Sequence, residues 1–217
     1  MWEAFAAFGL GSNAVSGGAN SLSPTNGFNV PASCQGGGGT TVFSDTFETA
    51  LGWTPNPNGT DTATTGQWER GDPEATDSSG PKQLGTTVSG TNDLVTARLA
   101  GSSAGVNDVD GGTTSIRSPA ITLPASGTLT LSFSYYLAHG SNATTADFLR
   151  VSVVGSTTSV VFQKLGAATD VDGVWASTSA SLNGFAGQTV RILIEAADAS
   201  TASLVEAGID DVTITQQ

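Results

Sequence analysis

The sequence predicts an all-β protein, an antiparallel β-sandwich of jelly-roll type over residues 41–217, preceded by a short N-terminal helix. Three observations carry this reading. Ser and Thr together number 55 and Gly 28, while Lys plus Arg is only 7. Helix-favouring side chains are therefore scarce, and β-branched Thr and Val suit a pleated surface. Apolar and polar residues alternate with a period of two in several short runs. Gly, Asn, Pro and Ser clusters separate those runs at short intervals, as they do in sandwiches and jelly rolls. Disorder would need low hydrophobicity, yet 38% of the chain is apolar and that share is grouped into the runs.

Three textures follow one another along the chain. Trp2, Phe5, Ala6 and Phe8 recur at spacings of three and four, the one amphipathic helical pattern present, and Gly9 and Gly11 stop it. Ser, Asn and Gly then dominate up to Val30. Residues 35–40, with four consecutive glycines, have the composition of a flexible linker and mark a domain boundary. A two-turn helix cannot be a domain, so residues 1–34 read as the end of something larger. The start, Met1-Trp2-Glu3, lacks the basic region of a signal peptide, which leaves a cytosolic chain or a fragment with residues upstream. Cys34 is the lone cysteine; it fits a partner elsewhere in a longer protein, or a free thiol.

From Thr41 onward the strands begin. The clearest is Thr128–Tyr136, where Leu129, Leu131, Phe133 and Tyr135 alternate with Thr130, Ser132, Ser134 and Tyr136. Further strands are expected at Leu94–Leu99, Ser115–Leu123 with a break at Pro119, Phe148–Val154, Ser159–Leu165, Trp175–Leu182, Thr189–Ala196 and Ala207–Thr215. The core is expected to hold Phe43, Phe47, Leu131, Phe133, Tyr135, Val151, Val153, Ile192, Ile194 and Ile209. The stretch Asn56–Gly112 is long, polar and poor in strand signal, and such a loop is usually functional or ordered by something else.

Charge narrows the partners. The formal net charge is -12, the opposite of the basic footprint that nucleic acid or an anionic membrane requires. No apolar run reaches the ~18 residues of a membrane-spanning helix. One His and one Cys exclude any site built from several of either. Low Lys, high Thr and Gly and an acidic balance point to a secreted bacterial protein.

The acids are clustered. Asp45 and Glu48 form one pair and Asp108 and Asp110 a second; Asp147 opens a strand, and Glu206, Asp210 and Asp211 lie near the end. Asp108-Val109-Asp110-Gly111 puts two carboxylates and a carbonyl on one side of a turn, the oxygen-rich arrangement a hard cation such as calcium takes. All eight are candidate calcium ligands. The competing reading is that acids on an acidic protein are solvated. Paired carboxylates also serve glycoside hydrolysis, but nothing in the sequence marks a buried pair with a raised pKa. His139 has no partner pattern and reads as a solvated loop side chain. Trp68-Glu69-Arg70-Gly71-Asp72-Pro73 combines an aromatic, both charges and a turn; it is either a recognition edge or, through Trp68, a plug for the end of the core. Trp53 and Trp175 read as plugs too.

Several strings taken in order carry a resemblance: Phe43-x-Asp45-x-Phe47-Glu48, Trp68-Glu69-Arg70-Gly71-Asp72-Pro73, Asp108-Val109-Asp110-Gly111-Gly112, Arg117-Ser118-Pro119 and Glu206-Ala207-Gly208-Ile209-Asp210-Asp211. Together, residues 41–217 resemble the MAM-like jelly-roll domain attached to the C-terminus of secreted bacterial peptidases. Trp2-Glu3-Ala4-Phe5-Ala6-Ala7-Phe8-Gly9, followed by Gly27-Phe28-x-Val30-Pro31-x-x-Cys34, resembles the last helix and tail of a fungalysin-type, thermolysin-like zinc peptidase domain. The resemblance implies an accessory domain without its enzyme. The peptidase motif H-E-x-x-H needs two histidines, so no zinc and no hydrolysis are expected of this chain. It also implies a calcium ion tying the first and last strands, which would bring Asp45 or Glu48 near Asp210 or Asp211. The Asp108–Asp110 loop and Glu206 would form that site or a second one. The partners implied are the parent peptidase in cis and an extracellular protein or surface polymer. The rival readings are a purely structural domain for folding or secretion and a carbohydrate-binding module. Sugar binding usually needs open aromatics, and here most aromatics fall at inward positions.

Overall fold

The computed structural model describes residues 39–217. The expected helix over residues 2–9, Cys34 and the linker up to Gly38 lie outside the described residues. The larger of two compact units spans Thr41–Gln216.

Twelve strands occur among the described residues. They are β1 (Thr40–Asp45), β2 (Thr54–Pro55), β3 (Trp68–Gly71), β4 (Asp93–Thr96), β5 (Gly112–Arg117), β6 (Ile121–Thr122), β7 (Leu129–His139), β8 (Phe148–Val154), β9 (Thr158–Leu165), β10 (Ala176–Ser181), β11 (Thr189–Asp198) and β12 (Val205–Gln216). They form two six-stranded sheets. The first runs β10-β7-β12-β4-β3, with β1 also paired to β12; the second runs β2-β5-β11-β8-β9, with β6 also paired to β11. The fold is the antiparallel sandwich that the alternation predicts. Leu129, Leu131 and Phe133 of the first sheet and Leu149, Val151, Val153, Ile192 and Ile194 of the second share one buried core.

One break in the alternation has a local cause. On β12, Val205, Ala207 and Ile209 point inward at a period of two, but the next inward residues are Val212 and Ile214. The register against β7 shifts between Asp210 and Thr213, a β-bulge, and Asp211 sits there with φ 53°. The extra residue resets the phase and returns Val212 to the core.

Some inside–outside assignments need correction. Phe43 and Tyr135 are half-buried rather than internal. Tyr135 lies at the open side of the sandwich, its ring centroid 4.4 Å from that of Phe162 on edge strand β9. Tyr136, expected on the polar face, is fully buried in a second small cluster with Val95, Ala138, Leu84 and Trp175. The cause is the polar stretch before β4, which folds over the outer face of the first sheet. Gln83 fixes that stretch by donating from Nε2 to the carbonyls of Glu74 and Arg98. Lys82, its side chain fully buried, reaches Asp170 at 2.9 Å and Asp172 at 2.8 Å. Hydrogen bonds and an ion-pair clamp thus order much of Asn56–Gly112, which also contains β3 and β4. The strand expected at Leu94–Leu99 ends at Thr96, because Ala97 turns left-handed at φ 51°. His139 is no solvated loop residue: it closes β7, is buried, and its Nδ1 lies 3.1 Å from the Gly140 carbonyl.

Gly208 on β12 makes room for Tyr136. A Cβ there would collide with the tyrosine ring. Gly208→Ala is therefore expected to destabilise the fold by about 1–3 kcal/mol, the usual cost of overpacking, seen as a lower urea midpoint with an unchanged slope.

Candidate functional site

The first acid cluster lies where β1, β4 and β12 approach one another. Asp210, at the bulge, is fully buried. Its Oδ2 accepts the amides of Val88 (2.8 Å) and Ser89 (3.1 Å), and its Oδ1 accepts that of Asp211 (2.7 Å). Asp211 accepts the Ser89 hydroxyl at 2.6 Å. Two residues further on, the same loop meets Glu48, whose Oε1 accepts the amides of Thr91 (2.9 Å) and Asn92 (2.7 Å). Those amides hold the exposed Glu48 carboxyl below the usual carboxylate range. The 88–92 loop is thus strung between the end of β1 and the bulge of β12. Glu48 and Asp210 hold successive parts of one loop, through the amides of Thr91 and Asn92 and those of Val88 and Ser89.

The next residue, Asp93, is the unusual member. It opens β4, is fully buried, and neither carboxylate oxygen has a hydrogen-bond partner. Burial, then the neighbouring charges of Asp210 and Asp72, push its pKa up to about 8. Burial raises Asp210 as well. Asp45 stands apart in role. Its Oδ1 accepts the Phe47 amide and its Oδ2 the Trp53 indole N–H, each at 2.8 Å. Both oxygens are used in holding the turn after β1.

The second cluster surrounds the Asp108–Asp110 loop. Asp108 is buried; its Oδ2 accepts the Val205 amide at 3.2 Å and its Oδ1 has no partner. Burial first, and then Asp110 and Asp198, raise it to about 7. The Thr65 hydroxyl donates to the Asp108 carbonyl at 2.8 Å and lies 3.4 Å from Asp110 Oδ2. Gly112 carries φ 145°, and a Cβ there would strike the Thr62 side chain, so the loop needs this glycine. Asp198 closes β11 and accepts the amide and hydroxyl of Ser203 at 3.1 and 3.0 Å. Burial raises its pKa. Asp147 is enclosed by the Thr144 amide (2.6 Å), the Ala199 amide (2.9 Å) and the Ser203 hydroxyl (3.4 Å). Glu206 is buried with Oε2 3.3 Å from the Thr96 hydroxyl, and burial and then Asp108 raise it well above the usual range.

The eight candidates therefore divide between two neighbourhoods, and the structure adds Asp93 and Asp198. Among the described residues no three His, Cys, Asp or Glu side chains converge as a metal-holding group. A calcium ion at either place would draw most of its shell from backbone carbonyls and water, which its chemistry allows. The free oxygens of Asp93 and Asp108 are the groups such an ion would satisfy. A buried carboxylate without a partner is costly, so the donor set fits a hard cation.

The Trp68–Pro73 segment is mainly structural. Trp68 is a core plug at 2% exposure. Arg70 donates to the Phe47 carbonyl at 2.6 Å, and Glu69 lies 3.6 Å from Arg98. Trp53 packs half-buried against the core, and Trp175 instead packs edge-on against Tyr136 at 4.9 Å.

No protein-family model and no curated protein matches the chain. Solved structures do. The K1 cleaved adhesin domain of Lys-gingipain from Porphyromonas gingivalis aligns at 16% identity and a TM-score of 0.51, over 82% of this chain and 99% of that one. The K3 cleaved adhesin domain of the same protein aligns at 16% identity and a TM-score of 0.50, over 82% and 100%. The CBM22-1 xylan-binding domain from Paenibacillus barcinonensis aligns more loosely, at 12% identity and a TM-score of 0.44, over 82% and 95%. At such identities the likeness is one of fold. Among the described residues no helix is long and apolar enough to cross a membrane.

Proposed function

We propose that residues 41–217 are a calcium-stabilised, non-catalytic binding domain of a secreted zinc metallopeptidase, holding the enzyme to an extracellular protein or surface polymer. The observation that carries the calcium part is Asp93, a buried carboxylate with two unpartnered oxygens beside Asp210, where the first and last strands meet. The binding part is supported by the ordered motifs of the sequence and by the adhesin domains that share the fold. A flat sugar-stacking platform is disfavoured, because among the described residues no aromatic side chain is exposed. Asp147 and Asp45 serve turns in this reading, and Glu48, Asp108, Asp110, Glu206, Asp210 and Asp211 lie around the two ion positions.

The test is a pull-down of the 217-residue chain, with calcium and with chelator, against insoluble neutral polysaccharides, collagen and keratin. Retention by a protein matrix or charged surface polymer in calcium, and none by neutral polysaccharide, is expected. Retention by neutral polysaccharide would favour a carbohydrate-binding module. Failure on every matrix, charged ones included, would leave a structural folding domain. Casein is expected to survive incubation with the pure chain; cleavage abolished by chelator would overturn the non-catalytic reading.

A further inference from the structure

Seven lysines and arginines stand against nineteen acids, and they are unevenly placed. Arg117 on β5, Arg191 on β11 and Arg150 on β8 lie on three successive strands of the second sheet. Their chain neighbours Ile116, Ile192 and Val151 point into the core, so the period of two puts all three arginines on the outer face. Arg117 is opposite Leu193 in the register, which makes it a diagonal neighbour of Arg191, about 7–8 Å away along the sheet.

The three are differently held. Arg150 lies 3.7 Å from Glu195, its guanidinium 4.0 Å above the Phe148 ring. Arg191 donates to the Ser118 carbonyl at 2.9 Å. Arg117, a half-buried residue, has no ion pair and no side-chain hydrogen bond, and its buried Nε has no acceptor. The Nε of Arg150 also lacks one. In the first sheet and its covering loop the cations are answered: Arg70 by the Phe47 carbonyl, Lys82 by Asp170 and Asp172, Arg98 by Glu69. A guanidinium without an acceptor in so acidic a chain has its terminal N–H groups free for an oxyanion from outside.

We propose that the outer face of the second sheet binds an acidic polysaccharide through its carboxylate or sulfate groups, with Arg117 as the principal contact and Arg150 and Arg191 flanking it. This deepens the binding-domain reading and rests on it. Charge recognition suits a face whose aromatic side chain, the half-buried Phe148, is covered by the Arg150 guanidinium. Ser152 stands opposite Leu193 and Ser115 opposite Glu195; both serines are buried and Asp61 holds the Ser115 hydroxyl, so polar contact on this face falls to the arginines. Glu195, which faces Arg150, and Asp61, which holds Ser115, also lie at this face, but neither forms an ion pair with Arg117; the acids elsewhere repel a polyanion from the rest of the surface. They also make the binding salt-sensitive, because exposed charges are screened over about 8 Å at physiological ionic strength.

The experiment immobilises heparin (sulfate), polygalacturonate (carboxylate), dextran (neutral) and polyglutamate (acidic polypeptide), and measures retention of the calcium-loaded chain at low and physiological salt. Retention on heparin or polygalacturonate, weakened by salt and absent on dextran, is expected; the stronger of the two identifies the oxyanion. Arg117→Gln, which breaks no ion pair or hydrogen bond, should weaken it about tenfold, the scale of one charged hydrogen bond. Arg98→Gln, just past β4 and paired with Glu69 of the first sheet, should leave it unchanged, with both variants melting as the wild type does. Equal loss in the two variants, or none in Arg117→Gln, overturns the face. Polyglutamate retained at least as well as the polysaccharides overturns the occupant in favour of an acidic protein. If no polyanion is retained while collagen or keratin is, this inference fails and the binding-domain reading stands; if nothing is retained, both fail.

Discussion

Calcium is expected to raise the melting temperature of this chain by about 5–10 °C, and Asp93→Asn to remove most of the rise. An ion that binds the folded state alone contributes about 2.7 kcal/mol at a hundredfold excess over its dissociation constant. Each kcal/mol is worth roughly 2–4 °C in a domain of this size. The signature in pH is distinctive. Burial pushes metal-free Asp93 up to about 8 in the folded state, against an ordinary value of 3.8, so between these limits the folded chain holds a proton that the unfolded chain has lost. The contribution of Asp93 to stability without metal is therefore full below about pH 4 and declines as pH rises towards 8. Asp108, raised to about 7, adds to the same decline. Calcium takes the place of those protons, so its effect grows with pH and its binding releases them. Asp93→Asn should flatten the metal-free pH slope as well as abolish the response. Asp110→Ala should blunt only the part owed to the second neighbourhood. Identical melting curves in chelator and in millimolar calcium at pH 8 would remove the metal from this account.

Trp68→Ala is expected to cost about 3–5 kcal/mol, the range for emptying a large buried aromatic site. Trp68 begins β3, a strand of four residues at the edge of the first sheet, yet it is only 2% exposed and belongs to the main core. Its indole nitrogen has no acceptor, so Trp68→Phe gives up packing without orphaning a partner and should cost clearly less. Urea unfolding of the three chains checks this. A loss below about 1 kcal/mol for Trp68→Ala would mean that the cavity collapses or that the indole is not a plug.

The fold was legible because the alternation is local. Phe148–Val154 coincides with β8, and the inward residues of β7, β8 and β11 follow from the period of two alone. Tyr136 was not legible, since its cover is a loop some fifty residues earlier whose hydrogen bonds run through Gln83 and Lys82. The acid clusters were half legible. Asp108-x-Asp110-Gly and Glu206…Asp211 are visible as short strings. Asp93 follows a turn and precedes two apolar residues, which reads as an ordinary strand start; its neighbour Asp210 is 117 positions away. The one local hint was a carboxylate directly abutting Leu94 and Val95, the first turn of chain that must be buried. Asp45 and Asp147 look like ligands in sequence because a turn and an ion ask for the same acceptor oxygens.

β12 has a consequence for the order in which the molecule can be made. It is the last of the twelve strands in chain order, and it lies inside the first sheet, hydrogen-bonded to β7 and β4 and paired with β1. As the chain emerges N-terminus first, those three strands have no partner in common until residues 205–216 follow them. Half of the sandwich therefore cannot close until residues 205–216 are available. Its apolar strands stay open for that interval, and the long-range pairing that ends it belongs to the slow class of folding reactions, milliseconds to seconds. During that interval any factor that holds or threads unfolded chains meets this domain before its own last strand does.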